Sequence, residues 1–101
     1  MIRLKWLRCF LLVVCCALGA CVSAPAQEMS DARQAIRAAR EAGAEQVAPQ
    51  QFMEARRFLE QAEASLQGRD YREARRNAVA ARGKAVEALG AARAAVQPPS
   101  E

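Results

Sequence analysis

Hydrophobic positions follow two different rules along this chain. Residues 9–22 form an unbroken run without a charged or strongly polar side chain, and Arg3, Lys5 and Arg8 precede it. From Ser30 onward, large apolar residues become sparse and recur at intervals of three and four among Ala, Arg, Glu and Gln. That spacing places them on one stripe of an α-helix, and the residues around them are strong helix formers. No segment alternates apolar and polar positions with β-branched residues, as a half-buried strand would. The pattern predicts an all-α fold: a small antiparallel helical hairpin or three-helix bundle, after a cleaved signal peptide.

Three helices are expected, over residues 30–46, 49–67 and 70–96. The first opens at Ser30-Asp31, a pair suited to N-capping, and fades from Gly43. Ala48-Pro49 breaks the pattern. Pro49 fits the first position of the second helix, where its missing N–H has no intrahelical partner to lose. Gly68 supplies the stop of that helix, and Asp70 with Glu73 three residues later has the form of a capping box for the third. Pro98-Pro99 forbids further helix. Residues 21–29 read as a tether and residues 98–101 as a tail.

Phe52, Ala55, Leu59, Ala62 and Leu66 share one face of the second helix. Tyr71, Ala74, Ala78, Ala81, Ala85, Ala88 and Ala92 form a matching stripe on the third, whose small side chains let two helices approach closely. A second stripe on that helix holds Val79, Gly83, Val86 and Gly90, so two neighbours are implied. Ala32, Ile36 and Ala39 of the first helix suit one seam; another subunit is the alternative. Large apolar residues are few for a bundle of this length, so self-association or docking on a partner is expected.

The net charge of +4 changes meaning once it is located. Three of the fifteen basic residues and none of the eleven acidic ones lie in the first twenty positions, which leaves the remainder close to neutral. The apolar run is shorter than the roughly 20 residues of a comfortable bilayer span and suits the h-region of a secretory signal. Cys9, Cys15, Cys16 and Cys21 all lie within it, and there is no histidine. A mature chain starting at or after Cys21 therefore excludes a disulfide framework, a Cys/His zinc site and Cys/His catalysis.

Two cleavage sites compete. Ala24-Pro25-Ala26 has the small-x-small form of an ordinary signal peptidase site, which would release a soluble periplasmic protein beginning at Gln27. Leu18-Gly19-Ala20-Cys21, at the end of the apolar run, resembles the lipobox of bacterial lipoproteins. That resemblance implies removal of residues 1–20, diacylglyceration of the Cys21 thiol and acylation of the new amine. Val22-Ser23 after the cysteine implies sorting to the outer membrane. Membrane lipid is then the partner of acylated Cys21, and the chain faces the periplasm.

Beyond the tether, short motifs recur in a fixed order. Residues 31–39 read Asp-Ala-x-x-Ala-Ile-x-x-Ala, Ala48-Pro49 precedes the second helix, Ala55 stands four positions before Leu59, and Gly68 to Tyr71 read Gly-x-Asp-Tyr. In this order they resemble the bacterial envelope family called domain of unknown function 4398. The resemblance implies a helical outer-membrane or periplasmic lipoprotein and transfers no catalytic residues. Some members carry a following peptidoglycan-binding domain of the outer-membrane-protein-A type, which these 101 residues do not contain. "GRDYREA" at 68–74 is also similar to the tetratricopeptide repeat, but one copy is visible where a solenoid needs three or more.

Three classes of function can be set against these residues. Glu60 and Glu63 share a helix face as paired acid/base groups do, yet Arg56 stands four residues before Glu60 as an ordinary ion-pair partner. A bundle this small gives no expected cleft, so no enzyme, cofactor or metal is expected. A binding module would use residues 69–84, where six cations face Asp70 and Glu73. Arg72, Arg75, Arg76 and Arg82 there lie towards the Val79 side and suit anionic cell-wall polymer, lipid phosphate or an acidic partner. Export separates the chain from nucleic acid. The third class is favoured: a lipid-tethered structural or adaptor protein of the envelope, acting through helix contacts along Val79, Gly83, Val86 and Gly90.

Overall fold

Every regular element of the computed structural model is a helix among the residues it describes, 2–19 and 24–96. In order they are α1 (Ile2–Gly19), α2 (Ala26–Glu41), the single turn α3 (Ala44–Val47), α4 (Pro49–Gln67) and α5 (Tyr71–Val96). Helix α1 holds the apolar run with its basic start, and its described side chains, residues 3–14, are exposed. No helix among the described residues is long and apolar enough to cross a membrane.

The bundle is α2, α4 and α5. One cluster of its core joins Met29 and Ala32 of α2 to Ala62 of α4 and to Ala78 and Ala81 of α5. The other joins Ile36 and Ala39 to Phe52 and Ala55, and to Ala85, Ala88 and Ala92. As numbers rise along α2 they fall along α4 and rise along α5. The three helices therefore run up, down and up. Six alanines of α5, from Ala74 to Ala92, are fully buried and serve both neighbours. Helix α2 is thus an integral third helix, and the alanine stripe is the seam that it shares with α4.

The first helix of the bundle begins at Ala26, four residues earlier than the Ser30-Asp31 expectation. Residues 26–29, read from sequence as tether, belong to the bundle. Pro25 takes the N-cap position, its carbonyl accepts the Met29 N–H at 3.0 Å, and both side chains are buried. Burial, not capping chemistry, sets this end. Ser30 and Asp31 instead accept hydrogen bonds along the helix surface from Gln34 at 3.2 Å and Gln27 at 2.9 Å. The helix also stops earlier than residue 46. Gly43 adopts φ +85° and turns the chain into α3, which buries Ala44 before Ala48 leads into Pro49.

Gly68 stands at the C-cap of α4, where the sequence places the stop of that helix, but not in the left-handed conformation. Gly68 has φ −79°, an ordinary helical value, and the left-handed residue is Arg69 at φ +61°. The Arg69 N–H donates to the Leu66 carbonyl at 3.1 Å and the Asp70 N–H to the Ser65 carbonyl at 2.9 Å. That pair of bonds is a Schellman C-terminus, with arginine where glycine usually stands. Only half of the expected capping box forms. The Asp70 carboxylate accepts the Glu73 N–H at 3.4 Å, whereas Glu73 turns to Arg76. Tyr71, placed by its spacing in the alanine stripe, lies at its edge and is 36% exposed.

Candidate functional site

Two surfaces of the bundle carry side chains that its own packing does not use. The first is the outer face of α5. Alanines at 74, 78, 81, 85, 88 and 92 turn inward, so residues between them in helical phase turn outward. Val79 is 57% exposed and Val86 53% exposed. A β-carbon added at Gly83 or Gly90 would meet nothing within 4 Å. The fold therefore has no internal requirement for glycine at either position. The stripe expected on sequence grounds is real as a surface, and α2 does not cover it.

Arg72 and Arg76 stand at the N-terminal end of this face, in phase with Val79 and Gly83. The six cations of residues 69–84 do not act as one patch. Arg75 reaches sideways to Glu28 in the first turn of α2, with Nε 3.3 Å from the carboxylate. Arg76 pairs with Glu73 at 3.4 Å. Lys84 sits between Glu54 of α4 at 3.3 Å and Glu87 at 3.5 Å. Hydrogen bonding to Glu54, helped by the charge of Glu87, holds the Lys84 ammonium above its ordinary range. Arg69, Arg72 and Arg82 have no ionic partner among the described residues.

The second surface is a groove of about 330 Å³ between α2 and α4. Its floor is Ile36 and Leu59. Arg33, Arg37 and Arg40 rim it from α2, and Arg56, Glu60 and Glu63 from α4. The two carboxylates that share a face of α4 thus open onto a largely basic groove. Glu63 pairs with Arg33 across the helices at 3.5 Å. Arg56 and Glu60 do not form the expected i,i+4 ion pair among the described residues. Arg40 makes a long contact with Glu45 at 3.9 Å and lies 5.6 Å from the centre of the Phe52 ring. Sequence reading missed this groove, although positions 33, 37 and 40 carry the i, i+4, i+7 spacing that aligns them along one helix.

Of the four residues that resemble a lipobox, Leu18 and Gly19 end helix α1, while Ala20 and Cys21 lie outside the described residues. So do Val22-Ser23, the prolines at 98 and 99 and the rest of the tail. Cys9, exposed on helix α1, is a free thiol.

No curated protein and no solved structure matches the sequence. A protein-family match does cover residues 27–97, from the first turn of α2 to one residue beyond α5. The match spans the three-helix bundle, and the chain belongs to the family described as Domain of unknown function (DUF4398).

Proposed function

We propose that this protein is a non-catalytic helical adaptor of the bacterial cell envelope, anchored by lipid at Cys21 and facing the periplasm from the outer membrane. The observation that carries the reading is the outer face of α5, where exposed valines alternate with glycines that the bundle itself does not need. Small residues there admit close approach of another helix, from a second copy or from an envelope partner. Internal pairing of Arg75, Arg76 and Lys84 weighs against the basic run as the main contact surface.

Burial of Pro25 supports cleavage before Cys21 over cleavage after Ala26, since the later cut discards this buried residue, which is also the N-cap of α2. Four residues reach at most about 14 Å, so an anchor at Cys21 would hold this end of the bundle close to the bilayer. The α4–α5 turn, with Arg69 and Arg72, lies at the same end.

Fractionation of a bacterial host, with intact mass of the mature chain, tests the anchor. A membrane species beginning at Cys21 with added acyl mass is expected; a soluble species beginning at Gln27 overturns it. Gly83→Leu with Gly90→Leu tests the contact surface. Loss of chemical crosslinking to self or partner, with helicity retained, is the expected outcome. Unchanged crosslinking would remove this face from the account.

A further inference from the structure

We infer that the groove between α2 and α4 binds the phosphate group of a phosphorylated sugar, independently of the anchor and of the α5 face. Four guanidinium groups rim it against two carboxylates, and one of those carboxylates, Glu63, is already engaged with Arg33. Arg37 and Arg56 have no ionic partner among the described residues. Both helices therefore contribute to one concavity a guanidinium that forms no ion pair among the described residues.

Like charges facing each other across a groove are kept apart only by solvent unless an anion lies between them. A carboxylate offers two oxygens, enough for one guanidinium fork. A phosphate monoester offers three oxygens and up to two negative charges, which matches Arg37 and Arg56 acting together from the two helices. Glu60 has no ionic partner among the described residues and provides an acceptor for hydroxyl donors. Ile36 and Leu59 provide an apolar floor for the C–H face of a ring. Phosphate beside hydroxyls beside an apolar face is the chemistry of a sugar phosphate. At about 330 Å³ the groove is of the size that holds one small molecule.

The full-length protein, purified in detergent from a bacterial host as it is processed there, is titrated with four probes. They are glucose 1-phosphate, inorganic phosphate, glucose, and vesicles containing phosphatidylglycerol. Binding is followed by amide shifts at Ile36 and Leu59 and by calorimetry. Glucose 1-phosphate should bind several-fold more tightly than inorganic phosphate, on the scale of one or two added hydrogen bonds, and glucose should not bind. Arg37→Ala and Arg56→Ala should each weaken it by about tenfold. Arg56→Lys should recover only part of the loss, because an ammonium lacks the planar fork. Arg57→Ala, exposed on α4 outside the groove, controls for general charge and should change nothing. Equal binding of phosphate and glucose 1-phosphate would mean an unspecific anion and overturn the proposal. Affinity unmoved by Arg37→Ala and Arg56→Ala, or binding confined to the lipid vesicles, would also overturn it.

Discussion

A residue with a β-carbon loses on the order of 1–2 kcal/mol in the left-handed region, and Arg69 occupies it at φ +61° while glycine stands one position earlier at φ −79°, open to any residue. The two substitutions at this turn should therefore have unequal effects. Arg69→Gly is expected to stabilise the fold by about 1 kcal/mol, because glycine is the usual residue at that position of a Schellman end. Gly68→Ala should be neutral or slightly stabilising, since its new β-carbon would sit 3.6 Å from the Ala64 and Ser65 carbonyls, an ordinary contact. Urea unfolding of both variants checks the pair. If Gly68 rather than Arg69 held the left-handed position, the order of the two effects would be reversed.

At the scale of single helices, α5 divides into a face that tolerates no added volume and one that accepts it freely. Ala85 is fully buried between two neighbours, so Ala85→Leu should cost about 1–3 kcal/mol through overpacking. Gly83→Ala and Gly90→Ala, on the opposite face, should each add about 0.5–1 kcal/mol of monomer stability from helix propensity. Thermal unfolding of the three variants would separate the faces; a loss at Gly83→Ala in dilute solution would show that the monomer does use that glycine. This division was legible in the sequence because alanines at three and four form an unmistakable stripe. The Ala48-Pro49 break and the turn before Tyr71 were legible for a similar reason, proline, glycine and aspartate acting locally. The start of α2 was not. Ser30-Asp31 is the better capping pair, and only the burial of Pro25 and Met29 against other helices draws the boundary back to Ala26. The groove was hidden for another reason: arginines at 33, 37, 40 and 56 read as a solvated face until α2 and α4 are set side by side.

For the molecule as a whole, cleavage at one or the other of the two candidate sites would give products of different stability. A chain beginning at Gln27 lacks buried Pro25 and the carbonyl that accepts the Met29 N–H, so it should unfold at a lower temperature than one beginning at Cys21. A protein prepared with each start and compared by circular dichroism would show a difference on the order of 1–2 kcal/mol; identical melting would mean that Pro25 contributes nothing to the bundle. The alanine seam has a further consequence for how the three helices find their alignment. Sliding α5 by one turn against its neighbours largely exchanges one alanine for another, so that helix behaves as a ruler with few markings. The markings lie in Met29, Ile36 and Phe52 on the other two helices, in Asn77, buried among the alanines of α5, and in charges that meet across the gaps. Arg33 with Glu63, Arg75 with Glu28 and Lys84 with Glu54 each tie a different pair of helices. Exposed ion pairs of this kind add little to stability, but a one-turn slip would break the two that involve α5 at once, which makes them the code that selects one alignment among near-equal neighbours.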